Sequence, residues 1–335
     1  MRKKCIVVKR AFCSYMMRKS NLKNGIHQKF ANNNESNNVA NYFRLRNTGH
    51  EAIDLRKKLK SLIDTNTAFC SFELLSLKND DFYQSFFTEM NKYHPLFYAL
   101  TSHTKNKTKH YEFLKLTDTF PNNVLLHLIA NNLTRTDVKS ILEEALKCGI
   151  RNVFALRGDS ITASSDFPHA VDLVRFIKSQ FGDTFCICVA GYPEIHPESP
   201  SKELDLFYLK EKVNAGADFI ITQICFEANI FIKFANDCKE VGINVPILPG
   251  IYPIHNYSCL EKIANVCNIK IPQNILDSLQ SIKDDDNKVR NYGIELSTNI
   301  IKDIIASGTT CGFHLFTLNR TSLISEICNK LDIFH

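Results

Sequence analysis

No stretch of about 18 apolar residues occurs in the chain, so no segment reads as a membrane-spanning helix. None of the twelve cysteines is paired with another at the C-x-x-C spacing of a zinc site, and no metal site is expected. No G-x-G-x-x-G follows a strand-like run, which counts against a Rossmann dinucleotide site. Acid is missing from the first 34 residues, which hold nine Lys or Arg. That segment has little periodicity and no uninterrupted apolar core, so it is no secretory signal. Residues 1–50 read either as a disordered basic tail or as a mitochondrial transit segment.

The 335 residues are 44% apolar, enough for one large core with appendages. A net charge of +6 is modest for that length and implies no nucleic-acid partner; it fits ordinary solvation or a basic cleft for an anionic ligand. Cys186 and Cys188 lie two apart in an apolar run and share one face of a strand, where buried free thiols are the better reading. Thiols in strands and helices suit a reducing compartment, so a cytoplasmic location is expected, with the mitochondrion as the alternative.

Residues 51–63 carry Ile53, Leu55, Leu59, Leu62 and Ile63 at helical spacing, which predicts a leading helix. From Thr67 onward one unit repeats: an amphipathic helix, a glycine, then a short apolar strand. The clearest copy sets Val138, Ile141, Leu142, Ala145 and Leu146 on one helical face, followed by Gly149 and the strand Asn152–Leu156. Further strands are expected at Ala68–Phe72, Leu96–Leu100, Val124–Leu128, Phe185–Val189, Asp218–Ile221, Val245–Leu248 and Gly312–Phe316. These are nearly continuous apolar runs, as in parallel strands covered by helices. Eight such units in residues 51–335 predict a single-domain α/β fold, a closed (β/α)8 TIM barrel; an open doubly wound sheet is the runner-up. Residues 250–290, with Pro249, Pro253 and Pro272 near them, break the repeat and read as a helical insertion. The acidic run Asp284–Asp286 reads as a solvated turn.

In such barrels chemistry gathers at the C-terminal strand ends. The polar residues there are Glu73, Thr101, His127, Arg157-Gly158-Asp159, Gly191-Tyr192-Pro193-Glu194 with His196 beyond, Thr222-Gln223, and Thr317-Leu318-Asn319-Arg320. Each has a bland alternative. Glu73 could end a strand at the surface, Asp159 could cap a helix, Gln223 could bond loop backbone, Arg320 could pair with a neighbouring acid, and His127 could be a satisfied core histidine. A barrel would gather all of them on one rim.

At Ala155-Leu156-Arg157-Gly158-Asp159, Ala190-Gly191-Tyr192-Pro193-Glu194-Ile195-His196-Pro197-Glu198 and Lys212 to Gln223, the chain resembles methylenetetrahydrofolate reductase. Leu248-Pro249-Gly250-Ile251-Tyr252-Pro253-Ile254, Arg290-Asn291-Tyr292-Gly293-Ile294-Glu295-Leu296 and Phe316-Thr317-Leu318-Asn319-Arg320 continue the match in order. The Arg290–Leu296 run looks like the eukaryotic branch. The resemblance implies a barrel that binds FAD, takes electrons from NAD(P)H and reduces 5,10-methylenetetrahydrofolate, in one-carbon metabolism and methionine supply. It implies Glu73 as the general acid and Asp159 as the carboxylate beside flavin and pterin. It implies Thr101, His127, Arg157, Gly158, Asp159, Ala170, Tyr192, His196, Asp205 and Lys212 as cofactor contacts, with Lys212 meeting the diphosphate. Gln223 and Arg320 are the implied folate contacts, Arg320 for the glutamate tail, where a guanidinium fork suits a carboxylate. Family members associate, so a homo-oligomer is possible.

The first third departs from that pattern. Leu74-Leu75-Ser76-Leu77 follows Glu73 where Phe-Phe-Pro-Pro is usual. Ser102 stands where Trp or Tyr is usual, and the chain has no tryptophan. Ile129-Ala130 replaces Thr-Cys, Ser160 replaces Pro, and Tyr208 and Glu211 occupy positions that are often polar or basic for FAD. These departures keep two alternatives open: a catalytically degraded barrel that binds folate or a partner, and a flavin barrel acting on another small substrate. The sequence carries no S-adenosylmethionine-binding regulatory domain after residue 335, so feedback inhibition by that ligand is not expected.

Overall fold

The computed structural model describes residues 53–76, 80–101, 120–131, 133–158 and 166–333. The tail, residues 1–50, and Asp159 lie outside them. Eight parallel strands close into one barrel in the order β1 to β8, which settles the choice against the open sheet. They are β1 (Phe69–Leu75), β2 (Tyr98–Thr101), β3 (Val124–Ile129), β4 (Asn152–Leu156), β5 (Cys186–Gly191), β6 (Phe219–Ile224), β7 (Ile247–Ile251) and β8 (Gly312–Leu315). β8 pairs with β1 to complete the ring, Leu315 opposite Phe72.

Alternation along each strand sorts the side chains into two cores. Cys70, Phe72, Leu74, Tyr98, Leu100, Leu126 and Leu128 face outward and pack under the helices. Phe69, Phe97, Ala99, Leu125, Phe154, Cys186, Cys188, Phe219, Ile221 and Leu248 fill the interior. Phe97 lies 5.8 Å from Phe219 and stacks on His314, so the interior is packed and not a pore. Cys186 and Cys188 are free and buried in this core, as their spacing predicts.

The helices are α1 (Leu55–Asp64), α2 (Asp80–Met90), α3 (Arg135–Lys147), α4 (Ala170–Phe181), α5 (Lys202–Asn214), α6 (Ala228–Glu240), α7 (Tyr257–Cys267), α8 (Gln273–Gln280), α9 (Asp286–Ala306) and α10 (Thr321–Leu331). α1 plugs the N-terminal mouth. Leu55 and Leu59 join the interior core, and Asn152 at the foot of β4 ties the helix down. Its carboxamide oxygen accepts from Leu55 N–H at 3.1 Å. Its amide group donates to the Ile53 carbonyl at 2.9 Å and the Val124 carbonyl at 3.3 Å.

Three details differ from the expected boundaries. β1 runs on to Leu75, so Glu73 lies within the strand, not beyond it. β6 runs on to Ile224 and takes in Thr222 and Gln223. β7 begins after Pro246, which has no N–H for the ladder but accepts from Ile220 N–H at 2.8 Å. The expected insertion is present as α7 and α8. The acidic run does more than solvate a turn, because Asp285 accepts from Asn287 and Lys288 N–H and caps α9. α9 packs so tightly on the loop after β7 that a Cβ at Gly293 would lie 1.8 Å from the Ile254 carbonyl oxygen.

Asn152→Ala strands the buried Leu55 N–H and Ile53 carbonyl. It should lower stability in urea unfolding by about 1–3 kcal/mol and speed amide exchange at Leu55.

Candidate active site

Glu73 and Thr101 belong to the inward rows of β1 and β2, at the C-terminal mouth. His127 follows Leu125 in the inward row of β3, with its ring edge-on to Phe154 at 4.9 Å. Glu73 is partly exposed at the mouth but surrounded by protein. Burial raises its pKa to about 7, against the opposing pull of a hydrogen bond from the backbone of Leu318. A carboxyl in that range can hold and release a proton near neutral pH.

The tip of β8 is latched to β1 beside this acid. Thr317 Oγ1 donates to the Glu73 carbonyl at 2.7 Å. The Asn319 carboxamide accepts from Leu75 N–H and donates to the Leu75 carbonyl, both at 2.9 Å, as a further strand residue would. Leu318 and Asn319 both have positive φ, 47° and 58°, a strained double turn held by those bonds. The turn delivers Arg320, exposed at the rim, at the start of α10. Neither Thr317 nor Asn319 had a role legible in the sequence. The available signal was two hydrogen-bonding side chains flanking a leucine at a strand tip.

Two residues below Glu73, Ser71 Oγ lies 2.9 Å from His314 Nδ1. Burial pushes His314 down to about 3, so the ring is neutral at ordinary pH. Strand alternation counted back from Glu73 would have found Ser71. In the loop after β7, Tyr252 and His255 were also missed as site candidates. Tyr252 Oη and both His255 ring nitrogens are buried without a well-formed hydrogen bond among the described residues. Burial first, then nearby Arg320, lowers the His255 pKa to about 3; a loose contact with the Pro253 carbonyl opposes this.

Gln223 sits in a bulge. Ile221 pairs with Leu248 and Ile224 with Gly250, which leaves one extra residue on β6. Its carboxamide oxygen accepts from Ile224 N–H at 2.9 Å, the backbone role allowed for as the bland alternative.

The ends of β4 and β5 form the other half of the rim. Arg157 pairs with Glu198 at 2.7 Å and donates from Nε to the Gly158 carbonyl at 3.2 Å. Gly158 has φ +90°, and a Cβ there would lie 2.7 Å from Asn131 Cβ. Tyr192 and His196 meet edge-on at 4.5 Å. His196 N–H donates to Asp205 at 3.1 Å, and His196 Nδ1 accepts from Glu198 N–H. Lys212 Nζ donates to the Ala190 carbonyl at 2.6 Å. Burial lowers the Lys212 pKa to about 8, while the charge of Asp205 opposes the shift. Ala170 stands apart, at the first turn of α4 beyond the undescribed residues 159–165, where it offers helix-start backbone.

These residues fit a phosphorylated dinucleotide. A desolvated ammonium with a carbonyl as its hydrogen-bond partner favours an anion, and the bare Gly158 backbone allows close approach. Among the described residues, no cluster of three or more His, Cys, Asp or Glu could hold a metal, and no helix is long and apolar enough to cross a membrane.

The family model described as methylenetetrahydrofolate reductase matches residues 58–332. The chain belongs to the methylenetetrahydrofolate reductase family. It is 38% identical over 285 residues to methylenetetrahydrofolate reductase (NADH) 1 of Arabidopsis thaliana, covering 78% of this chain and 48% of that one. It is 41% identical to a probable methylenetetrahydrofolate reductase (NADPH) of Caenorhabditis elegans, covering 63% of this chain and 32% of the relative. A 5,10-methylenetetrahydrofolate reductase of Buchnera aphidicola is 32% identical over 83% of this chain and 96% of its own length. The chain thus spans half or less of the first two relatives and nearly all of the third. The fold is shared with a Clostridium thermocellum protein described as binding two copies of 5-methyl-5,6,7,8-tetrahydrofolic acid. The two are 16% identical with a TM-score of 0.59, covering 82% of this chain and 98% of that one.

The raised pKa of Glu73 also affects stability. The folded carboxyl keeps its proton up to about 7, whereas an unfolded glutamate loses it near 4.5. The folded state therefore binds more protons in between, and stability falls as pH rises through that window. Glu73→Gln should be more stable than the parent at pH 8, by up to about 3 kcal/mol, with the advantage gone below pH about 4.5 in parallel urea titrations.

Proposed function

We propose that this reductase-family chain reduces 5,10-methylenetetrahydrofolate to 5-methyltetrahydrofolate, with electrons from NAD(P)H passed through FAD. The observation that carries the reading is a carboxyl with a near-neutral pKa at the mouth of a barrel whose same rim holds a desolvated lysine. Bound FAD would supply the two-electron transfer between nicotinamide and folate. Lys212 would hold its diphosphate, and Gly158, Arg157, Tyr192, His196 and Asp205 would shape the bed around it. Thr101, His127 and Ala170 are further contacts implied by the family.

The chain's own contribution to the folate step is a proton. The five-membered ring of the substrate opens to an iminium when N10 is protonated, and Glu73 holds a proton near neutral pH for that transfer. Asp159 would favour the cationic iminium by charge. Gln223 would hydrogen-bond the pterin once its carboxamide leaves Ile224 N–H. Arg320, already at the rim, would pair with the glutamate carboxylates.

The protein should purify yellow, with a flavin band bleached by NAD(P)H and restored by methylenetetrahydrofolate. A colourless protein that stays inert with added FAD would refute the reading. Glu73→Gln should keep NAD(P)H-driven bleaching and lose restoration by folate in stopped-flow assays; equal loss of both half-reactions would remove the acid role. In the parent the folate half-reaction should slow as pH rises through about 7, where Glu73 gives up its proton. Arg320→Ala should raise the folate KM with little change in bleaching, and steady-state kinetics checks this.

A further inference from the structure

A groove of about 530 Å³ runs between α6 and α9, with α8 beside it. No strand residue lines it, so it opens on the helical face and not into the barrel mouth. Phe226, Ile232, Ile275, Leu296 and Ile300 give it an apolar floor. Its charged residues are Glu227 and Asp303, and no Lys, Arg or His lines it among the described residues. Both carboxylates are exposed, and neither is in an ion pair there. Helices of this barrel run from the C-terminal mouth to the base. Glu227, just before α6, and Asp303, in the last turn of α9, therefore mark opposite ends of the groove. α6 has 13 residues and is about 20 Å long, which sets the spacing of the two acids.

The chain carries a segment of matching pattern. Residues 1–34, outside the described residues, hold nine Lys or Arg and no acid. Within them, Cys5-Ile6-Val7-Val8 is an apolar run with Lys3-Lys4 on one side and Lys9-Arg10 on the other. Extended, the basic flanks lie roughly 17–25 Å apart, the spacing of the two acids. Reach is sufficient. The groove ends at Ala306 and Ser307, and Cys311 a few residues on contacts the Leu62 carbonyl of α1 at 3.8 Å. The tail enters that same helix, and residues 11–52 can span far more than the roughly 15 Å length of α1. A second copy fits less well. A two-fold contact would set the same face against itself, like charge against like.

We propose that residues 3–10 of this chain dock in the α6–α9 groove, Ile6, Val7 and Val8 on its floor and the basic pairs against Glu227 and Asp303. Tethering makes the contact intramolecular, so a weak affinity suffices to fill the groove. The proposal does not depend on the flavin reading.

Two measurements test it. Hydrogen exchange followed by mass spectrometry compares the full chain with one lacking residues 2–34. Exchange over residues 226–232 and 296–307 should be faster in the shortened chain, with β1–β5 unchanged. Equal exchange in the two proteins would overturn the proposal. Fluorescence anisotropy then titrates a labelled peptide of residues 1–12 with the shortened chain. Glu227→Lys and Asp303→Lys should each weaken binding by about 2- to 10-fold at low salt, and less at high salt. A peptide with Ile6, Val7 and Val8 replaced by Ser keeps the charge and should lose binding. Binding as tight as the parent peptide would reduce the contact to unspecific charge attraction and overturn the proposal. So would a dimer-to-monomer shift in Asp303→Lys with exchange indifferent to the tail, which would give the groove to a second copy.

Discussion

A closed ring of eight parallel strands leaves room for few side chains inside, and alternation sends every second one there. Below the mouth the ring is packed with Phe69, Phe97, Phe154, Phe219 and Leu248, and α1 seals the base. Water is excluded from underneath, so polar groups in the upper layers are solvated from one side at most. That constraint raises the Glu73 pKa and keeps His314 neutral. The special chemistry of the rim comes from this hydrocarbon floor more than from any pair of charges.

Much of the fold was legible in the sequence, because helix and strand periods and the glycines between them are local signals. Barrel closure followed from the number of repeats. Where boundaries moved, the cause was not local: β1 and β6 extend because neighbouring strands offer partners, and β7 starts late because Pro246 cannot donate. Asp285 looked like part of a solvated turn because its capping role depends on where α9 begins.

The candidate site was legible residue by residue but not as an arrangement. Glu73, Thr101, His127, Arg157, Gly158, Tyr192, His196, Asp205, Lys212, Gln223 and Arg320 all lie at or near the C-terminal mouth. The Glu198 link between Arg157 and the His196 loop could not be read from spacing, because it joins loops about 40 residues apart. The bonds of Thr317 and Asn319 were hidden for the same reason: their partners lie on β1, at the other end of the described chain. Tyr252 and His255 escaped notice because orphaned polar atoms become visible only with coordinates.

The seam between the first and last strands has a consequence for how the molecule is made. Asn319 grips Leu75 across 244 positions of chain, among the most distant pairings in the barrel and costly in loop entropy before any contact repays it. During synthesis β1 emerges early and waits for β8 with one edge unpaired. Glu73 acquires its neighbours on the β8 side only when the last strand docks. A chain cut before β8 therefore lacks the strand that closes the sheet and the Thr317 and Asn319 side chains that hold the backbone around Glu73.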